Sequence, residues 1–272
     1  MISARSFRVV AFTTAVFAYL QIALGGLVRV TGSGLGCPDW PLCNGRPYPA
    51  PDIHSVIEYS HRTVGTITGL LLIATVVSAW IVFRRTRPIV PWLATASLVA
   101  IAAEGALGGV VVINELHPWL VVIHLGLAML ILGFLVATAI MSLPAAPAVA
   151  AQGFRRLAAL TTAATYLLLL SGSTVVASEA DERCHAWPAC GSGFALDFSG
   201  VNAFTMLHRG AVLLIGVLLI VTLLRAMRNA ATRNVAIATL VWAGMLSIAL
   251  VTVPRTDRAP VLARLAVDKR PA

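Results

Sequence analysis

The chain has 272 residues, of which 58% are hydrophobic and only 11% charged, with a mean hydropathy of +0.88. So few charges cannot cover a water-soluble surface, and the composition points to a polytopic membrane protein. The net charge of +9 would suit nucleic acid, but the placement of the bases along the chain speaks for membrane topology and against a nucleic-acid partner.

Apolar runs near the roughly 20 residues that a helix needs to cross a bilayer fall at about 8–28, 62–83, 90–112, 119–142, 155–177, 205–224 and 234–253, which gives an all-α chain of seven spans. The first run enters Gly25-Gly26-Leu27-Val28-Arg29 with no small-residue cleavage site, so it reads as a retained span and not a leader. Arg5 and Arg8, then Arg84, Arg85 and Arg87, then Arg155 and Arg156, then Arg225, Arg228 and Arg233 gather on alternate connections. The opposite connections carry Asp39, Asp52, Glu58, Glu115, Glu179, Asp181, Glu182 and Asp197. The positive-inside rule then places the N-terminus in the cytoplasm and the long loops 29–61 and 178–204, with all four cysteines, outside.

The first of these loops reads Cys37-Pro38-Asp39-Trp40-Pro41-Leu42-Cys43, and five intervening residues permit a small disulfide ring, Cys37–Cys43. Metal binding is the rival, and no His stands at ligand spacing within that ring. Glu58 and His61 follow at the mouth of the second span, three residues apart on one helical face, where ionisable groups are costly and functional. Glu58 reads either as a proton-transfer group or as an interfacial carboxylate. Arg62 reads either as a partner for a carboxylated ligand or as a side chain snorkelling to headgroups. In the third span Glu104 is a lone acid at mid-depth, either a neutral carboxyl bonded to a neighbouring helix or a proton-handling group. Pro118 suits a helix start, Trp119 an interfacial belt, and His54 and His117 solvated positions. The fourth span carries His124 near its start, and the second outer loop, Cys184 to Cys190, repeats the first ring with His185 inside it.

An offset of 147 residues carries Tyr19 onto Tyr166, Gly25 onto Gly172, Cys37 onto Cys184, Trp40-Pro41 onto Trp187-Pro188, Cys43 onto Cys190 and His61-Arg62 onto His208-Arg209. Chance does not produce that register, so the chain consists of two homologous halves in parallel repeat. We expect a four-helix N-terminal half over 1–145, a three-helix C-terminal half over 150–253 and a charged tail over 254–272. The same offset carries His124 onto Pro271 with no span around it, so an eighth helix is missing, and Glu58 onto Thr205, so the two halves differ chemically. Seven spans would also put the bases of the tail outside, against the charge rule.

His61, His124 and His208 all fall in the first turns of helices that start at the outer face. Two imidazoles at equal depth on different helices of one bundle can face each other across a flat iron macrocycle, with Arg62 and Arg209 as candidate propionate partners.

Taken together, the Gly25 to Cys43 stretch, Glu58-Tyr59-Ser60-His61-Arg62, Ile123 to Ala128 around His124, the second cysteine loop and Met206 to Gly210 resemble the haem A synthase family of the bacterial type with paired loop cysteines, over about residues 10 to 225. The resemblance implies an oxidoreductase of two four-helix halves in the bacterial cell membrane. It would oxidise the C8 methyl of haem O to the formyl of haem A for terminal oxidases, with haem B as cofactor. It further implies that His61 and His124 are axial ligands of the substrate haem, Glu58 the essential acid, His208 one ligand of haem B, Cys37–Cys43 a pair that matters for activity, and Cys184–Cys190 a structural pair. Haem O and its synthase are the implied partners, with membrane lipid around the chain, the electron partner unnamed and a homo-oligomer left open. Two other classes compete: a bis-His electron-transfer protein resembling a membrane cytochrome b, and a non-catalytic haem-binding assembly factor.

Overall fold

The computed structural model describes residues 2–144, 152–184, 189–190, 196–228 and 232. Among these the secondary structure is helical: α1 (Ala4–Val30), α2 (Ile53–Phe83), α3 (Ile89–Ile113), α4 (Pro118–Met141), α5 (Gln152–Ala177), the short α6 (Ala180–Arg183) and α7 (Asn202–Arg228). All but α6, six helices, are long and apolar enough to cross a membrane, so the chain is an all-helical polytopic membrane protein. The expected seventh run, 234–253, and the tail from 254 lie outside the described residues, as do His185, Trp187 and Pro188 of the second loop.

The second helix begins at Ile53, nine residues before its apolar run. Asp52 caps it, its side chain accepting from Ser55 N–H, so the mixed stretch 53–61 becomes helix and the first connection shortens to 31–52. α4 starts on Pro118, where the missing N–H is no loss. Its far end is closed by two arginines: Arg8 Nε donates to the Ser142 carbonyl at 3.3 Å, and Arg87 donates to the carbonyls of Met141, at 3.0 Å, and of Leu143. Cations at a helix C-terminus satisfy orphan carbonyls and oppose the helix dipole.

Two compact units divide the chain, one holding residues 1–145 and 160–217, the other 146–159 and 218–272. In the first, α1 packs on α2 and α4, and α3 packs on α2 and α4. That ring of four puts α2 and α4 on one diagonal and α1 and α3 on the other. The end away from the cysteine loop is filled by Phe7, Ala11, Ala79, Phe83, Val90, Ala94 and Ala139, with Phe7 and Phe83 edge to face at 5.0 Å. A second cluster, Ala15, Ala18, Leu72, Ile131 and Leu135, fills the middle. Small residues let these helices approach closely, and the buried hydroxyls of Thr14 and Thr75 meet at 2.8 Å between α1 and α2. Further along α1 and α2, toward the loop, the interior side chains turn polar, and the candidate site begins. In the other unit the described residues are the first part of α5, the last part of α7 and Thr232, whose hydroxyl donates to the Ala226 carbonyl at 2.7 Å.

Candidate functional site

His61 is the ninth residue of α2, and His124 and His208 are the seventh of α4 and α7. At about 1.5 Å per residue this sets the three rings roughly 9–12 Å along their helices from the loop end. His61 and His124 sit on diagonal helices of the ring.

Each imidazole is seated against a glycine of the preceding long helix. A Cβ at Gly25 of α1 would lie 3.3 Å from His61 Cε1, one at Gly108 of α3 would lie 3.3 Å from His124 Cε1, and one at Gly172 of α5 would lie 3.0 Å from His208 Cε1. Each ring also has a polar neighbour on that same helix. Gln21 Nε2 is 3.3 Å from His61 Nε2, Glu104 Oε1 is 3.0 Å from His124 Nδ1, and the Ser171 hydroxyl is 2.7 Å from His208 Nδ1. Glu104 is at ion-pair distance but off the line of a directed hydrogen bond: His124 Nδ1 and Glu104 Oε2 are buried with no hydrogen-bond partner among the described residues, as are His61 Nδ1 and Gln21 Oε1. His208 opens on a cavity of about 330 Å³ whose lining includes Leu167, Leu168, Phe204, Leu207 and Ile215. The lining is mostly apolar, with Ser171, Thr174 and the His208 ring as its polar members.

Glu58 is buried, 4% exposed. Its Oε2 accepts from the Cys37 N–H at 2.8 Å and its Oε1 from Arg62 at 2.5 Å. Arg62 donates further to the carbonyls of Asp39 at 2.8 Å, Leu42 at 2.6 Å and Cys37 at 2.6 Å. Four of its five N–H donors are thereby taken by the loop and by Glu58. Cys37 and Cys43 form a disulfide, as do Cys184 and Cys190. Within the first ring, Asp39 accepts from the N–H groups of Asn44 and Gly45. Those bonds, Gly45 foremost, hold its carboxyl below the usual carboxylate range, and the Arg62 charge adds to them. Trp40 lies on Gly109 of α3, where a Cβ would come within 2.9 Å of its ring, so the loop covers the end of the bundle next to the seat of His124. One bond of the clamp has a counterpart 147 residues on, where Arg209 donates to the Cys184 carbonyl at 3.4 Å; the position of Glu58 is taken there by Thr205, whose hydroxyl donates to the Ala180 carbonyl at 3.4 Å.

Among the described residues no three His, Cys, Asp or Glu side chains converge as an all-protein metal site would require. His54 bonds the Ser33 hydroxyl at 3.0 Å in the loop and is not among the groups lining the histidine seats. Gln21, Gly108, Ser171 and the pairing of Glu104 with His124 escaped the sequence reading. A polar residue four positions before a glycine within an apolar span, as in Gln21/Gly25 and Glu104/Gly108, is the signal that could have found three of them.

The chain is similar over most of its length to proteins named heme A synthase. The heme A synthase of Alkalihalophilus pseudofirmus is 29% identical over 252 residues, covering 90% of this chain and 83% of its own. That of Halalkalibacterium halodurans is 29% identical over 91% of this chain and 84% of its own, and that of Shouchella clausii is 30% identical over 76% and 72%. The family model COX15-CtaA, cytochrome oxidase assembly protein, matches residues 8–253. With that match spanning the four-helix ring, the disulfide loops and all three seated histidines, the chain belongs to the COX15-CtaA family of cytochrome oxidase assembly proteins.

Proposed function

We propose that this chain is an oxidoreductase of haem A biosynthesis that converts the C8 methyl group of haem O to a formyl group. The observation that carries this is the placement of His61 and His124 on the α2–α4 diagonal, at similar depth from the loop end and each with its ring edge against a helix glycine. Further support comes from the relatives named heme A synthase, which match over most of their length and of this chain.

In this proposal His61 and His124 hold the substrate haem O between them, and the glycines at their edges leave room for a flat ring system. Glu58, one helical turn from His61, takes up protons as the methyl carbon is oxidised through successive hydroxylations; the net change takes one oxygen atom from water and releases four protons and four electrons, the electrons passing to an external one-electron acceptor in the membrane. Arg62 and the Cys37 N–H keep that carboxylate in place and keep the Cys37–Cys43 loop over the mouth, which limits water at the reacting edge. Arg62 of α2 and Arg209 of α7 are the candidate partners for the haem carboxylates, with Nε–H of Arg62 as the donor outside its four loop and Glu58 bonds. His208 offers one ligand to haem B beside the apolar cavity, and haem B bound there would supply one-electron relay. Haem O comes from its own synthase in the same membrane, and the product serves a terminal oxidase. The chain lies in the bacterial membrane with its N-terminus cytoplasmic and the cysteine loops outside, by the distribution of its arginines.

The test is the haem content of cells that make haem O but have no other source of haem A. With the wild-type chain, extraction and mass spectrometry should yield haem A; with His61→Ala or His124→Ala they should yield haem O and no haem A, and Glu58→Gln should lower haem A by at least tenfold. Normal haem A in either histidine variant would overturn the proposal, and unchanged haem A in Glu58→Gln would return that residue to a purely structural place in the loop.

A further inference from the structure

The two histidines of the N-terminal bundle are held by the same device with one difference. α1 presents Gln21 and Gly25 to His61, and α3 presents Glu104 and Gly108 to His124; in both cases the polar residue and the glycine are four positions apart and so lie on one helical face. The polar neighbour is a neutral amide for His61 and a carboxyl group for His124. Glu104 is the sixteenth residue of a 25-residue apolar helix and is 9% exposed. A carboxylate at that depth is costly unless something compensates it, and the group within reach is the His124 ring, 3.0 Å away.

We propose that Glu104 is a positioning residue for His124, fixing the orientation of the ring and strengthening its donation, so that His124 is the firmer and His61 the weaker of the two ligands. A histidine whose one nitrogen faces a carboxylate presents the other nitrogen as the better donor, and loss of such a partner weakens metal binding by about 10- to 100-fold. Gly108 completes the seat, since the ring is stopped on one edge by bare helix backbone and has the Glu104 carboxyl 3.0 Å from Nδ1. This rests on the assignment of His124 as a haem ligand, and the experiment separates the two.

Purified full-length protein carrying His208→Ala, so that the second pocket does not report, is titrated with iron protoporphyrin IX. Affinity, the low-spin absorption spectrum and the midpoint potential are compared for Glu104, Glu104→Gln, Glu104→Leu, Gln21→Leu and His124→Ala. We expect Glu104→Leu to bind at least tenfold more weakly. Glu104→Gln, which keeps shape and an acceptor oxygen, should stay low-spin with a more positive midpoint, because a neutral partner stabilises ferric iron less. Gln21→Leu should change affinity by less than Glu104→Leu does. If His124→Ala loses haem while both Glu104 variants keep the wild-type affinity and potential, the positioning role is wrong and the ligand assignment stands. If His124→Ala itself binds as the parent does, with the same spectrum, the ligand assignment fails first. Should Glu104→Leu not fold, the potential of Glu104→Gln decides.

Discussion

Replacing Arg62 by alanine removes four hydrogen bonds in one step, at 2.8, 2.6, 2.6 and 2.5 Å to Asp39, Leu42, Cys37 and Glu58. Three of these end on loop carbonyls, and the fourth pairs two side chains that are 16% exposed for Arg62 and 5% for Glu58. Breaking a buried ion pair from one side costs about 3–5 kcal/mol, because the surviving charge is stranded. None of the clusters that pack the four helices contains a residue of loop 31–52, so the loss should appear as local opening of that loop while the bundle stays folded. A cost of about 3–5 kcal/mol corresponds to roughly two to three and a half decades in the opening equilibrium. Hydrogen exchange with mass spectrometry in detergent reads this directly. Peptides from 31–52 should lose about that much protection while those from 64–83 do not change, and Arg62→Lys, which keeps the charge but not the planar fork, should fall between. Protection of 31–52 within a few-fold of wild type in Arg62→Ala would show that the guanidinium does not hold the loop.

Other substitutions probe the seats and the loop. Gly172→Ala places a methyl 3.0 Å from the His208 ring against 3.3 Å for Gly25→Ala and Gly108→Ala, so haem retained at His208 should fall further than haem retained at the N-terminal pair, as judged by binding titrations of each variant. Gly36→Ala would bring its Cβ to 2.5 Å from the His54 carbonyl, which is backbone and cannot swing aside; thiol labelling should find Cys37 and Cys43 unpaired in a large fraction of that variant, against none in the parent. The Asp39 carboxyl is held low by the Gly45 and Asn44 N–H groups, so its contribution to the turn is complete above the unfolded carboxylate value of about 4 and is lost as pH falls through its lower folded value. Exchange protection of the Gly45 amide should therefore be flat from neutral pH down to about 5 and drop in more acidic solution, whereas Asp39→Asn should show no such drop. Thr14→Val breaks the hydroxyl contact with Thr75 and should destabilise the bundle by about 1 kcal/mol at most, since interhelical polar contacts in membranes are modest; thermal unfolding in detergent measures it.

Much of the fold was legible because a membrane allows few solutions. Apolar length gave α1, α3, α4, α5 and α7 to within a few residues, while α2 begins nine residues early because Asp52 supplies a cap that hydropathy does not register. The offset of 147 residues marked Gly25 with Gly172 and His61-Arg62 with His208-Arg209, and both glycine seats and both arginine bonds to a cysteine carbonyl recur in the structure. What could not be read is set by helix rotation and register between non-adjacent positions. Glu104 was visible as a costly lone acid, but its neighbour His124, twenty residues on, depends on how α3 and α4 turn against each other. Gln21 has no polar counterpart in the second half, where Leu168 stands, so the repeat gave no hint of it. The hold of Arg62 on three loop carbonyls was hidden for a related reason: backbone acceptors carry no sequence signature.

The most direct test is a high-resolution map of the full-length protein loaded with haem O. We expect a porphyrin on the α2–α4 diagonal, its iron bonded to His61 on one face and His124 on the other, with the Glu58 carboxylate near the ring edge that carries the C8 methyl. Iron bonded elsewhere, or a macrocycle that leaves either imidazole unligated, would contradict the assignment from which the proposed chemistry follows.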